Sequence, residues 1–88
     1  MEATIFRDTK ALSQQLRQAR KAKGWSQGDL ARRAGTDPRQ ISRIETAAHE
    51  PKLSLLLAVV AALELDLGLV PRQGASPETA RPRPEDIF

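Results

Sequence analysis

The sequence predicts an all-α fold: a compact domain of four short helices, then a short strand and a proline-rich tail. Three observations predict it. Apolar residues recur at helical spacing in separate stretches, capping residues and glycines fall between those stretches, and near the middle of the chain two helices are joined by a tight turn. The expected division is a domain over residues 1–70 and a flexible tail over 71–88.

The opening residues 1–8 are mixed, and Thr4, Ile5 and Phe6 have strand-like propensity. From Thr9 a helix pattern begins, with Leu12, Leu16 and Ala19 spaced i, i+4, i+7, and it ends at Lys23 and Gly24 with cations in the last turn. Trp25 precedes the next helix and is placed to pack toward Leu30 as the apolar residue of a staple. A core role is expected for it rather than base stacking, because the next residue caps a helix.

The chain is organised around residues 26–45, SQGDLARRAGTDPRQISRIE. Ser26 starts a helix: its hydroxyl can accept an N–H three residues on, and Asp29 stands where a capping box wants an acid. Leu30, Ala31 and Ala34 supply the apolar face, and Gly35 ends the helix because glycine takes a left-handed conformation at no steric cost. The next helix opens with Asp37 as N-cap, Pro38 at the first helical position where no N–H is needed, and Gln40 able to reach back. Ile41 and Ile44 are its buried side. Two helices this short bury little alone, so their value lies in the turn that fixes one against the other, which is helix-turn-helix geometry.

A loop over 46–51 closes on Pro51 and contains His49, the only histidine of the chain. No second titratable group supports it as a catalytic base, so solvation or phosphate contact is expected. Helix 4 is expected from about 52 to 64. Leu53, Leu56, Leu57, Val60 and Leu63 form one apolar stripe, read as facing the other helices. A second stripe, Leu55, Val59 and Ala62, is read as part of a dimer interface. Then the period changes to two over 65–70, which places Leu65, Leu67 and Leu69 on one face of a short strand. Its partner is expected to be the same strand of a second subunit across a two-fold axis, or else Thr4 to Phe6; the plainer alternative is a frayed end of helix 4. The tail 71–88 holds four prolines and little that is apolar before Ile87 and Phe88. It forms no core: it is a disordered tail, or a linear segment whose Ile87 and Phe88 dock in a partner's groove.

Eighty-eight residues make one small domain that buries only about 60% of its unfolded surface, so a partner subunit would help it. There is no cysteine, hence no disulfide, thiolate metal site or cysteine nucleophile. No metal, cofactor or catalytic residue is expected. No apolar run is long enough to span a membrane and no secretory signal is visible, so the protein is expected to be soluble and cytoplasmic, in the nucleoid. Net charge is +3, but residues 7–43 carry ten Lys or Arg against three acids. A basic face beside a groove-reading motif is the electrostatic footprint of a nucleic-acid binder; without the motif a solvated basic surface would be preferred.

Trp25, Ser26-Gln27, Asp29-Leu30-Ala31, the turn glycine Gly35, Ile41-Ser42 and the closing Glu45 resemble the lambdoid-repressor and Xre class of helix-turn-helix proteins. Ile5-Phe6, the Pro51 loop and 63–65 running into an alternating stretch look like the HipB antitoxins of that class, over about residues 4–70. The resemblance implies a lambda-repressor-like fold with helix 3 as recognition helix. It implies that Pro38, Arg39, Ser42 and Arg43 face base edges, that Ser26, Gln27, Thr36, Asp37 and Gln40 lie along phosphates, and that Arg20 and Glu45 form an internal ion pair. Geometry agrees for Arg39, Ser42 and Arg43, which lie opposite Ile41 and Ile44, and arginine can bind guanine bidentately; phosphate contact alone remains the alternative for both arginines. The chain departs from the pattern at Gly28, inside helix 2, and at Pro38, which replaces a side chain able to hydrogen-bond a base, so a relative's operator cannot be transferred.

The resemblance further implies a homodimer on double-stranded DNA with a palindromic operator, repressing its own operon and holding a HipA-like kinase toxin inactive, with Ile87 and Phe88 on the toxin-contacting tail. Two alternatives stand beside it: a stand-alone Xre regulator of the phage-repressor or restriction-controller type, and a protein-interaction adaptor on the same scaffold.

Overall fold

The computed structural model describes residues 5–72. Four helices follow one another: α1 Thr9–Ala22, α2 Gln27–Ala34, α3 Pro38–Thr46 and α4 Leu53–Ala62. The first three begin on side-chain caps. Asp8 accepts the Ala11 N–H at 2.7 Å, Ser26 accepts that of Asp29 at 3.0 Å, and Asp37 accepts that of Gln40 at 3.0 Å. Around Ser26 the box is reciprocal, because the Asp29 carboxylate accepts the Ser26 N–H at 2.9 Å. α4 has no such cap: Lys52 occupies the position without a side-chain hydrogen bond.

All four helices end alike, in a left-handed residue followed by an N–H that reaches back to a carbonyl of the last turn. Those bonds are Trp25 N to Arg20 O at 3.3 Å, Thr36 N to Ala31 O at 2.9 Å, Ala48 N to Arg43 O at 3.2 Å and Leu65 N to Val60 O at 3.1 Å. Gly24 and Gly35 adopt the left-handed conformation freely, with φ of +73° and +74°. Ala47 and Glu64 adopt it against the preference of a residue with a Cβ, at +57° and +61°.

α2 packs on α3 and α4, and α1 packs on α3. The core between them is Leu16, Leu30, Ala31, Ile41, Ile44, Val59, Val60 and Leu63. α1–α3 therefore bury the faces their spacing predicts, and α4 does so in part: Val60 and Leu63 of the expected inward stripe are in the core and Leu56 packs against it. Val59, expected at a dimer interface, is 1% exposed in the chain's own core, and Leu55 and Ala62 pack half-buried against that core. Leu53 and Leu57, expected to point inward, are 65% and 46% exposed. The helix is apolar on nearly every side, so its composition does not choose a face; the turn that delivers it does.

Residues 65–70 form no strand in the single chain, and residues 5–7 do not pair with them. A ladder needs a second edge, and among the described residues none is offered. Leu65, Leu67, Leu69 and Val70 are instead exposed. Thr4 and residues 73–88, with Ile87 and Phe88, lie outside the described residues.

Candidate nucleic-acid interface

The surface begins with how α3 is held. Ile41 and Ile44 are buried at 1% and 4% exposure, which turns the opposite side of a nine-residue helix to solvent. On that side Pro38, Arg39 and Arg43 are exposed and Ser42 is half-buried. Neither Arg39 nor Arg43 has a side-chain hydrogen bond or ion pair among the described residues. Both guanidiniums keep all their donors available, which is what bidentate reading of guanine or clamping of a phosphate requires.

A cleft runs along this helix between α3 and the start of α4, lined by Gln40, Arg43, His49, Glu50, Lys52 and Leu55 among others. Gln40 belongs to this cleft through its side chain, while its N–H serves the Asp37 cap. Asp37 is exposed and accepts the Gln40 N–H through one carboxylate oxygen, which makes its side chain the cap of α3. The Ser26 hydroxyl accepts the Asp29 N–H within the capping box. Thr36, at the turn, is half-buried.

Behind the surface, Arg20 and Glu45 form a buried pair. Arg20 Nε donates to Glu45 Oε2 at 2.7 Å and Arg20 Nη2 to Oε1 at 3.0 Å, a two-pronged contact whose side chains are 10% and 3% exposed. Donating to the Glu45 carboxylate raises the Arg20 pKa above its ordinary value against the opposing effect of burial. Arg20 Nη1 also donates to the Trp25 carbonyl at 2.7 Å, and Gln27 Nε2 donates to Glu45 Oε1 at 3.2 Å. Four hydrogen bonds thus join α1, the α1–α2 corner, α2 and α3, and no buried side-chain nitrogen or oxygen among the described residues is left without a partner.

Three features lay beyond the reach of sequence reasoning. The Trp25 ring, half-buried against the core as its position before the Ser26 cap predicts, carries two cations on it, Arg33 at 4.2 Å and Lys23 at 5.2 Å from its centroid. Lys23 also bonds Glu64 at 2.9 Å, tying the α1–α2 corner to the end of α4. Gln27 is drawn into the Arg20–Glu45 pair. None had a local signal; the Asp8 cap did, an aspartate one residue before a helix pattern.

Two short capped helices set against each other by a glycine turn, with exposed arginines on the outer side of the second, define a helix-turn-helix domain. The comparisons agree. The Helix-turn-helix family model matches residues 16–70, and the chain belongs to that family, the Xre-type helix-turn-helix transcriptional regulators. It is 42% identical over 65 residues to the HTH-type transcriptional regulator y4dL of Sinorhizobium fredii, matching 74% of this chain and a third, 33%, of that protein's length. It is 30% identical over 69 residues to antitoxin HipB of Escherichia coli, matching 78% of this chain and 73% of HipB. Among solved structures, a HipA–HipB–O2–O3 complex contains a chain that matches with TM-score 0.74 at 23% identity, over 80% of this chain and 99% of that one. A HipB–O1–O2 complex matches with TM-score 0.72, also at 23% identity, over 78% and 100%. These structural matches establish the shared fold. No helix among the described residues is long and apolar enough to cross a membrane.

Proposed function

We propose that the protein is a homodimeric, sequence-specific DNA-binding repressor of the HipB antitoxin kind, one that represses its own operon and neutralises a HipA-like kinase toxin. The observation that carries the DNA reading is the exposed side of α3, where Arg39 and Arg43 stand without a side-chain partner among the described residues, beside Ser42, while Ile41 and Ile44 anchor the helix. The role is binding, with no catalytic step and no cofactor, and its place is with the chromosomal DNA in the cytoplasm. Kinship with HipB supports the antitoxin part.

Dimerisation rests on a surface other than the one α4's pattern suggests. Leu53 and Leu57, one helical turn apart, and Leu65, Leu67 and Leu69 beyond the helix are exposed in the single chain. Such a row on a small domain supports a two-fold contact that would set two recognition helices about one turn of DNA apart. A stand-alone regulator is the second reading, favoured by the 42% identity to y4dL, a transcriptional regulator of which this chain spans a third.

Titrating a duplex selected from random-sequence DNA tests the first part. Arg43→Ala should lose about 1–3 kcal/mol of specific binding and relax preference at one base pair, and affinity should fall steeply with salt. An equal loss on every sequence would make Arg43 a phosphate contact, and a flat salt response would end the DNA reading. Purification from the native host separates the two regulators: a kinase-like protein that co-purifies at stoichiometric amount marks the antitoxin.

A further inference from the structure

We propose that Glu45 is a positioning residue for DNA binding: its buried carboxylate holds the side-chain amide of Gln27, at the start of α2, in the orientation that presents an N–H to a phosphate oxygen. The inference rests on the DNA-binding reading above. Glu45 is an acceptor only, its side chain is 3% exposed, and its Oε1 receives both Arg20 Nη2 at 3.0 Å and Gln27 Nε2 at 3.2 Å. A carboxylate oxygen at that distance repels an amide oxygen, so the Gln27 amide has one orientation: nitrogen toward Glu45. Its Nε2 carries two protons, and the contact uses one. The second remains available from a side chain that is half-buried and sits at the first residue of α2.

Without this contact a glutamine at a helix start is a freely rotating side chain that must be ordered each time it docks on a phosphate. Here the ordering occurs on folding, and binding finds the donor in place. Arg20 is the other half of the arrangement. It fixes Glu45 through two hydrogen bonds and holds the Trp25 carbonyl, two residues before Gln27, at 2.7 Å. The pair therefore does more than join α1 to α3; it sets where α2 begins relative to the recognition helix. Glu45 never touches DNA in this arrangement, and its effect on affinity passes through Gln27.

A double-mutant cycle on the full chain tests the proposal, with the random-selected duplex as probe. Native protein, Gln27→Ala, Glu45→Gln and the double variant are titrated at one salt concentration. Gln27→Ala should weaken binding about tenfold in the native background, the scale of a hydrogen bond to a charged group, and less than about twofold beside Glu45→Gln. Equal losses in both backgrounds overturn the positioning role, as does a Gln27→Ala variant that loses stability without losing affinity. Should Glu45→Gln fail to fold, the free native protein still decides: the Gln27 side-chain amide should relax in NMR like the rigid backbone, and a freely rotating amide overturns the proposal. Absence of any duplex binding by the native protein overturns the DNA reading itself, whereas binding with additive losses overturns only the role of Glu45.

Discussion

The unit of α2, its turn and α3 is finished within one chain, whereas α4 and the residues after it are not. In the first, both helices start on side-chain caps, the turn glycine is unstrained at φ +74°, and every buried side-chain nitrogen and oxygen is paired. In the second, the helix starts uncapped at Lys52, ends on Glu64 forced into the left-handed region, and leaves Leu53, Leu57, Leu65, Leu67 and Leu69 in solvent. The difference separates what the fold supplies from what a second surface must supply. Reading DNA needs a rigid, self-contained geometry; assembly needs a surface left open.

The largest effect should come from breaking the self-contained unit at its buried pair. Arg20→Met leaves the Glu45 carboxylate uncompensated and should cost about 3–5 kcal/mol in urea unfolding. A loss under about 1 kcal/mol would mean that water reaches Glu45 and that the unit is less closed than its 3% exposure indicates.

A pair of leucines sharpens the contrast. Leu30→Ala removes a side chain 1% exposed in the core and should cost about 2–5 kcal/mol at any protein concentration. Leu57→Asp touches a side chain that is 46% exposed, so it should leave the folding of the monomer within about 0.5 kcal/mol while shifting sedimentation from dimer to monomer. A Leu57→Asp protein that stays dimeric moves the interface off α4.

These contrasts also explain what could be read from the sequence. Ser26, Asp29, Gly35, Asp37 and Pro38 act within windows of about four residues, so their meaning is local and the helix-turn-helix with its exposed arginines was legible. The faces of α4 were legible only in part. Leu53 and Leu57 against Leu55, Val59 and Ala62 is a choice between two apolar stripes, settled by the direction of the 47–52 turn, and that turn rests on an alanine at positive φ which no composition rule announces. The Gln27–Glu45 contact spans eighteen residues and likewise has no local sign.

Smaller effects follow from glycines and alanines in each other's places. Gly28, inside α2, has ordinary helical geometry, and an added Cβ would meet Ser26 Oγ at 3.6 Å and Pro38 Cγ at 3.9 Å, both normal contacts. Gly28→Ala should therefore stabilise by about 1 kcal/mol. Ala47 is the reverse, a left-handed residue with a Cβ, and Ala47→Gly should stabilise by roughly 0.5–1 kcal/mol. Thermal unfolding checks both. If Gly28→Ala destabilises, the start of α2 lies closer to α3 than these distances state.

The last effect is on pH, and it tells the two regions apart by salt. Asp29 is held below its ordinary carboxylate pKa, first by the Ser26 N–H, then by the Ser26 hydroxyl and by Arg32. Glu64 is lowered chiefly by its hydrogen bond and charge contact with Lys23. Both shifts are downward, so each contribution to stability is present above the unfolded carboxylate's titration and fades as pH falls through about 4 toward the lowered native value. Asp29→Asn and Glu64→Gln should each flatten the acid limb of the stability curve. In about 1 M salt, where screening acts over about 3 Å, the Glu64 contribution on the exposed Lys23 pair should shrink. The Asp29 contribution should persist, because its leading cause is a backbone hydrogen bond inside a capping box rather than an ion pair. Equal loss of both in salt would show that Asp29 is governed by Arg32 after all, and that the start of α2 depends on a surface charge instead of its own cap.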